Sequence, residues 1–524
     1  MASEPTVASV HPDPPGPGLT GRVLRGSVYS GLGQVAVLSA SFVATPLIIR
    51  WAGAEVYGVL ALVNIVVGYL TFADFGMGTA STTFGAGAHA RGDEDDERSV
   101  VVTALLIACG SAAVSAVALG LAASALTTRV LEVPEDLRGA TVVSLQLAAL
   151  GFFVRSAANV LNTPQLVRLR MGVYTAISTT GSLLQILLAP VAIAFGFGLI
   201  GAVTGIVLAT LALASMHFMA SNRLLPRLLA GRPSLVLARR FVSFGSGLVV
   251  SSLAGMMLTS GEKLLLTHYA SVTELAYYTV AFTVASLLAL GPQAIGPWLL
   301  PAFSKLHGNG DRARAAVLFD RVLRGGVLYA APAIAAIWLC GEPFLRLWAG
   351  PEFAAAGASA LTVLALGHGA NVLAFVPYSV LLASGRSGVV ARLHLAEVIP
   401  YLVLAALLAA PFGATGAGLA WSIRATVDAV AMFWLARREV GLSPRALFAR
   451  WPALAGVFAV LAVPVVLAQA SAPVAEAVAA GVALPAYAIA AFFWILDDAE
   501  REYVRSYGRR VRRLGGLEPR GNAP

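Results

Sequence analysis

Long apolar runs recur along this chain and constrain its fold more than any other feature. From Ser27 to Leu496, runs of about 18–28 residues with few charges follow one another at short intervals. About 20 apolar residues in an α-helix cross the ~30 Å hydrocarbon layer of a bilayer. Charged residues make up 12% of the chain, about half of the ~25% of soluble domains. The pattern predicts an all-α polytopic membrane protein.

About 14 transmembrane helices fit these runs. We place them at 27–49, 57–77, 100–126, 140–163, 172–194, 199–220, 241–267, 275–303, 322–340, 359–384, 388–410, 415–436, 451–470 and 475–496. An even number of spans puts both ends of the chain on one side of the membrane. The Pro-rich residues 1–21 lack the apolar core of a signal peptide and are expected to form a disordered tail.

The distribution of positive charge predicts the orientation. Of the 36 Lys and Arg residues, 29 fall on the N-terminal side or in every second loop, and four fall on the opposite side, namely Arg50, Arg129, Arg138 and Arg346. Loops rich in Lys and Arg stay in the cytoplasm. We therefore expect both termini to be cytoplasmic in a multi-pass protein of the plasma (bacterial inner) membrane. The scatter of basic residues over many short loops argues against a nucleic-acid partner, whereas membrane lipids are expected partners.

A literal G-x-G-x-x-G occurs at Gly196, Gly198 and Gly201. A dinucleotide site needs an acidic residue about 20 positions later and a parallel sheet, but no Asp or Glu stands between Asp136 and Glu262. The motif lies between predicted helices 5 and 6, where glycine permits a tight turn. We interpret it as a hairpin.

The same pattern returns about 216 residues later. FGFGLIGAVTG (195–205) aligns with FGATGAGLAWS (412–422), and LAALGF (147–152) aligns with VLALGH (363–368). Helices 4–6 thus repeat as helices 10–12 with the same orientation, as in a parallel repeat. We predict two parallel-repeat six-helix bundles plus two C-terminal helices. The expected divisions are a tail at 1–21, bundles at 22–230 and 231–440, helices 13–14 at 441–496, and a basic cytoplasmic tail at 497–524.

Several stretches resemble one known family. SFVATPLIIRWAGAEVYGVLALVN (41–64) and FADFGMGTASTTFGA (72–86) are similar to the opening of the polysaccharide transporter family of the multidrug/oligosaccharidyl-lipid/polysaccharide (MOP) exporter superfamily. GEKLLLTHYASVTELAYYTVA (261–281), PAFSKLHGNGD (301–311) and FLRLWAGPEF (344–353) are similar to later parts of that family. The resemblance implies a MATE-like fold and a flippase that moves isoprenoid-diphosphate-linked oligosaccharide across the plasma membrane by alternating access.

This resemblance sets the expected activity and its alternatives. The implied substrate is a lipid-linked oligosaccharide, with a polysaccharide polymerase and glycosyltransferases as expected partners. A cation-coupled multidrug antiporter and a peptidoglycan-precursor flippase are alternatives with the same architecture. An enzyme is not expected, because no outer loop exceeds roughly 20 residues or holds an acid–base set. A scaffold has no need to tolerate the cost of buried charges.

Ionisable residues within the spans are the main candidates for function, because they are costly in lipid. Arg424 and Asp428 are four residues apart and can pair on one helix face, and Glu397 lies at similar depth on the antiparallel neighbour. One interpretation is a neutralised cluster that fastens two helices. The other is a cavity cluster in which Glu397 and Asp428 bind a coupling ion, H⁺ or Na⁺. No other cofactor, no metal and no catalytic residue are expected.

Five other polar residues are candidates to line a substrate cavity. Arg155 has no acidic residue on its own helix, so it faces a water-filled cavity, where it contacts the diphosphate, or it snorkels. Its repeat mate is Asn371. Gln34, Tyr29 and His368 are candidates to line the same space, with helix packing as the alternative.

Three charged residues near span ends are expected to be interfacial anchors, namely Asp74, Glu262 and Lys263. The acidic run GDEDDER (92–98) is expected to be a solvated cytoplasmic loop.

Overall fold

The computed structural model describes residues 19–441, residues 485–493 and the isolated positions 456, 459, 496, 498, 501, 502 and 506; side chains are described from residue 31 onwards, except at 246–248, 250 and 251. Thirteen α-helices make up the part from 19 to 441. The predicted spans 451–470 and 475–496 and the tails 1–21 and 497–524 lie wholly or mostly outside the described residues.

The helices follow one another with short connections. Their bounds are α1 Leu19–Tyr69, α2 Met77–Ala90, α3 Glu94–Ala125, α4 Glu135–Leu161, α5 Thr163–Val167, α6 Met171–Ala194, α7 Gly198–Leu224, α8 Leu235–Tyr269, α9 Val272–Ala285, α10 Leu290–Gly308, α11 Arg312–Trp348, α12 Pro351–Ala383 and α13 Ser387–Ala436. Among the described residues, nine segments are long and apolar enough to cross a membrane. The protein is therefore an all-helical membrane protein.

Two of the nine segments contain two predicted spans each, because one glycine interrupts an otherwise continuous helix. Gly53 (φ 85°, ψ 169°) interrupts α1, and Gly413 (φ 51°, ψ −133°) interrupts α13. Glu397 and Arg424 would be about 40 Å apart in a straight helix, yet their charged groups approach to 3.9 Å. The chain therefore folds back at Gly413, and the twelve predicted spans from 27 to 436 all have helical counterparts.

The predicted glycine hairpin at 196–201 is confirmed. Helix α6 ends at Ala194 and α7 begins at Gly198. Gly196 and Gly198 have φ values of 83° and 57°, which lie in the left-handed region that glycine adopts without steric cost. The motif makes a turn between two helices.

The described residues divide into two compact units. Unit 1 contains those up to Val56, Val66–Arg129 and Pro134–Ser252, and unit 2 contains Tyr57–Ile65, Val130–Val133 and those from Leu253 onwards. Within unit 1, α4 contacts α3 and α7; within unit 2, α12 contacts α9, α10, α11 and α13. The bundle boundaries 22–230 and 231–440 and the six-helix repeat stay predictions.

Candidate functional site

Unit 2 brings ionisable side chains from three helices close together, and we call this group the charged cluster. Helix α8 supplies two of them, α12 one, and the two halves of α13 the remaining four. Its members are Glu262, Lys263, His368, His394, Glu397, Arg424 and Asp428.

Glu262 is fully buried and is held by two tyrosines. Tyr278 of α9 donates a hydrogen bond of 2.9 Å to Oε1, and Tyr401 of α13 donates one of 2.6 Å to Oε2. Hydrogen bonds from phenolic hydroxyls offset part of the cost of burying a carboxyl group. Glu262 is therefore not the interfacial anchor expected from the sequence. It lies where α8, α9 and α13 are in contact.

Lys263 lies beside an aromatic group. Its Nζ is 4.3 Å from the ring centroid of Phe282, within the range of a cation–π interaction. Phe282 in turn contacts His368 at 5.0 Å and Trp421 at 5.4 Å between centroids, and these two rings are 4.4 Å apart. His368 is thus packed between aromatic rings, and its buried Nε2 has no hydrogen-bond partner among the described residues.

The predicted trio of Glu397, Arg424 and Asp428 is brought together. Arg424 Nη1 lies 3.9 Å from Glu397 Oε2, and Asp428 Oδ1 lies 3.6 Å from Nε2 of His394. Arg424 pairs across the fold at Gly413, whereas the expected pairing with Asp428 on the same helix is not formed. Its guanidinium carbon also lies within 6 Å of the Tyr401 and Trp421 rings.

Much of this trio's hydrogen-bonding capacity is unused. Both carboxylate oxygens of Glu397, Nε of Arg424 and Oδ1 of Asp428 are buried and have no hydrogen-bond partner among the described residues. Buried polar atoms are nearly always satisfied. The cluster also holds three carboxyl groups against one lysine and one arginine, so that a proton or a metal cation at this point would neutralise the excess negative charge.

Arg155 stands apart in unit 1. It lies on α4 with an exposed side chain and has no hydrogen bond or ion pair with any described residue. Gln34 on α1 and Asn371 on α12 are also exposed. The side chain of Tyr29 lies outside the described part of the chain.

Unit 1 contains an ion-pair network that the sequence did not reveal. Glu97 is completely buried and forms a two-armed ion pair with Arg168, one arm of which measures 3.0 Å; His89 Nδ1 lies 3.6 Å from it. The interpretation of 92–98 as a wholly solvated loop is therefore wrong for Glu97. Asp93 caps α3 through the backbone of Asp96, and the helix turns Glu97 inward.

Comparisons with known proteins identify a matching family and a shared fold. The family described as "Polysaccharide biosynthesis protein" matches residues 48–357. A protein of Shigella flexneri named "Putative O-antigen transporter" is 28% identical over 200 residues, which cover 38% of this chain and 47% of that protein. The chain thus aligns with about half the length of this relative.

Two solved structures share the fold. An inward-facing multidrug resistance MATE transporter of the MOP superfamily superposes with a TM-score of 0.67 at 14% identity, covering 80% of this chain and 98% of that one. The lipid II flippase MurJ in an inward closed conformation gives a TM-score of 0.67 at 10% identity, covering 90% and 98%. At such low identity the likeness concerns the fold.

Proposed function

Because the chain belongs to the polysaccharide biosynthesis protein family, we propose that it is a flippase for lipid-linked oligosaccharides. It moves an isoprenoid-diphosphate-linked oligosaccharide across the plasma membrane for surface polysaccharide synthesis, by alternating access, with both termini in the cytoplasm. The fold shared with a flippase and a MATE transporter and the name of the Shigella relative support this proposal.

One observation carries the substrate assignment. Arg155 lies in a predicted membrane span, is exposed, and has no hydrogen bond or ion pair with any described residue. A cation in such a position needs water or an anion. A guanidinium group presents a planar fork of N–H donors that matches phosphate oxygens. Arg155 therefore contacts the diphosphate of the substrate.

The charged cluster of unit 2 supplies the coupling. The cluster holds three carboxyl groups against one lysine and one arginine, and the unused oxygens of Glu397 are available to a proton or Na⁺. Binding of this cation changes the charge that Arg424 experiences, and with it the packing of the two halves of α13. A ligand shifts a conformational equilibrium only if it prefers one state, and the neutralised cluster supplies such a preference.

A deletion strain tests the proposal. A strain without this gene accumulates lipid-linked oligosaccharide on the cytoplasmic side, and the wild-type chain restores export. Arg155→Ala fails to restore it at an unchanged membrane level, whereas Arg129→Ala, a change of another exposed arginine in unit 1, restores it. No accumulation in the deletion strain, combined with increased drug sensitivity, assigns the chain to the multidrug antiporters instead.

Two partners follow from the same proposal. Glycosyltransferases supply the lipid-linked oligosaccharide at the cytoplasmic face, and a polysaccharide polymerase consumes it at the outer face. Copurification of the polymerase with the tagged chain tests whether delivery is direct.

A further inference from the structure

An open pocket of about 400 Å³, lined mostly by residues with polar side chains, lies within unit 1 between α2 and α4. Thr79, Thr82 and Thr83 line it from α2, and Asn159 and Asn162 line it from the C-terminal end of α4. We call it the threonine–asparagine cavity. Its volume falls in the ~300–1,000 Å³ range of small-molecule sites, far larger than a single cation requires.

The lining has hydrogen-bond acceptors to offer. Thr82 and Thr83 donate their hydroxyl protons to the carbonyl oxygens of Gly78 and Thr79, at 2.9 Å each, which leaves their oxygen lone pairs as acceptors. Asn162 is only 9% exposed, and its Oδ1 accepts no hydrogen bond from the described residues. Amides and hydroxyls suit a ligand that itself donates and accepts, such as a sugar.

Asp74, although it also lines the cavity, is already engaged. Its Oδ1 accepts a hydrogen bond of 2.9 Å from the backbone N–H of Met77, and Oδ2 accepts a weak one of 3.4 Å from Asn159. Asp74 therefore fixes the start of α2 and orients Asn159. The remaining polar residues of the lining are uncharged threonines and asparagines, a set that suits a neutral polar ligand better than a cation.

The polar lining is not repeated at the corresponding position of unit 2. A Cβ atom at Gly78 would lie 2.9 Å from the carbonyl oxygen of Asn159, so α2 and α4 are in close contact. In unit 2, a Cβ atom at Gly296 would lie 2.9 Å from the ring of Phe375. At the 216-residue offset of the predicted repeat, Phe375 corresponds to Asn159. The position that carries a polar amide in unit 1 thus carries an aromatic ring in unit 2, where the tip of the ring makes the contact.

We propose that the threonine–asparagine cavity binds the sugar next to the diphosphate of the lipid-linked oligosaccharide. Arg155 lies four residues before Asn159, about 6 Å along the same helix. This spacing suits a ligand whose first sugar is bonded directly to a diphosphate held by Arg155. The inference rests on the proposed flippase function and adds the surface that recognises the glycan.

Binding to the purified chain in detergent tests the assignment with two probes. One probe is the lipid-linked oligosaccharide extracted from the deletion strain, and the other is an isoprenyl diphosphate of the same length without glycan. The double variant Thr82→Val/Asn162→Leu binds the first probe about tenfold more weakly, the effect of losing two neutral hydrogen bonds, and binds the second within twofold of wild type. Arg155→Ala weakens both, and the control Thr204→Val weakens neither.

The remaining outcomes separate the two claims. If the double variant binds both probes as wild type does, or loses both equally, the sugar site is refuted while the flippase proposal stands. If the wild-type chain binds neither probe, the flippase proposal falls and the sugar site falls with it.

Cysteine labelling gives a second test that does not depend on the stability of the double variant. Cys109 and Cys340 are the chain's two cysteines, so replacing them with Ala and Ser leaves a background in which Thr79→Cys is the single reactive site. The lipid-linked oligosaccharide slows maleimide labelling of Thr79→Cys but not of Thr204→Cys. Equal labelling of Thr79→Cys with and without this probe refutes the assignment.

Discussion

Tyr401 donates a 2.6 Å hydrogen bond to Glu262 across 139 residues of sequence. The bond joins the first half of α13 to α8, and Tyr278 of α9 completes the arrangement from the other carboxylate oxygen. All three side chains are buried. A buried carboxyl group held in this way couples the positions of three helices.

Removal of the two tyrosine hydroxyls therefore destabilises unit 2. We expect Tyr278→Phe and Tyr401→Phe each to cost between about 0.6 kcal/mol, the average for hydrogen bonds measured within a membrane protein, and about 1.7 kcal/mol, the largest such value. The double variant costs more than the sum, because it leaves the carboxyl group of Glu262 without either donor. The measurement is the free energy of unfolding in detergent.

Tyr329→Phe is the matched control for these variants. Its hydroxyl makes only an exposed 3.4 Å contact with the carbonyl of Leu287, and we expect little change. Additive costs for Tyr278→Phe and Tyr401→Phe, or costs equal to that of Tyr329→Phe, contradict the role assigned to Glu262.

The charge balance of the cluster predicts an asymmetry between Arg424→Gln and Glu397→Gln. Arg424→Gln leaves the buried carboxyl group of Glu397 without its cation, and removal of one partner of a buried pair costs about 3–5 kcal/mol. Glu397→Gln removes one of the cluster's three carboxyl groups and leaves Arg424 beside the rings of Tyr401 and Trp421, and so it costs less. Thermal melts of both variants test the order, and a larger loss for Glu397→Gln is inconsistent with the excess negative charge.

The turn at Gly413 is expected to tolerate no side chain. A Cβ atom there would lie 2.6 Å from Oε2 of Glu274, which also accepts the backbone N–H of Ala414 at 2.7 Å. Gly413→Ala combines this clash with a backbone of positive φ and ψ −133°, a sparsely populated conformation of the kind that costs about 1–3 kcal/mol for other residues. Gly110→Ala on α3, where a Cβ atom meets nothing within 4 Å, is expected to be neutral or stabilising. Equal melting temperatures for the two variants refute the fold-back at Gly413.

Coupling to a cation predicts a specific loss in Asp428→Asn. This variant keeps the size of the side chain but removes one of the cluster's three carboxyl groups. Two carboxyl groups then remain with one lysine and one arginine, so the cluster no longer carries an excess to be neutralised. We expect transport by Asp428→Asn to become independent of the H⁺ or Na⁺ gradient. Asp320→Asn, which changes a carboxylate outside the cluster that binds Arg324 at 3.1 Å, keeps the dependence. An unchanged gradient dependence in Asp428→Asn excludes Asp428 as a coupling residue.

Periodicity and composition predict most of the described fold, because membrane spans are set by local hydrophobicity. The twelve spans from 27 to 436 and the turn at Gly196 and Gly198 follow from residues close in sequence. Counting outward from the predicted turn at 411–415 puts Glu397 and Asp428 at similar depth, and the structure brings both into the cluster. The actual partner of Arg424 could not be predicted in this way. The sequence favoured Asp428 on the same helix, whereas the structure pairs Arg424 with Glu397, because side-chain pairing depends on how the two helix halves pack.

Local sequence patterns do not predict which acidic residues become buried by contacts with residues distant in sequence. The sequence predicts an interfacial position for Glu262, because this residue lies near the end of a predicted span. Glu262 is buried instead because Tyr278 and Tyr401, which are distant in sequence, pack around it. The sequence predicts that Glu97 is one of several solvated acidic residues, since nothing close to it in sequence indicates that Arg168 is its ion-pair partner. A pairing between a buried acid and a distant hydroxyl or guanidinium leaves no periodic signal.

The most direct test of the central claim is translocation by the purified chain in proteoliposomes. Fluorescent lipid-linked oligosaccharide placed in one leaflet becomes accessible to a membrane-impermeant quencher in the other. The account predicts that the wild-type chain transfers this lipid and that Arg155→Ala does not, while Arg129→Ala does. Transfer at the rate of protein-free vesicles, or transfer unaffected by Arg155→Ala, contradicts it.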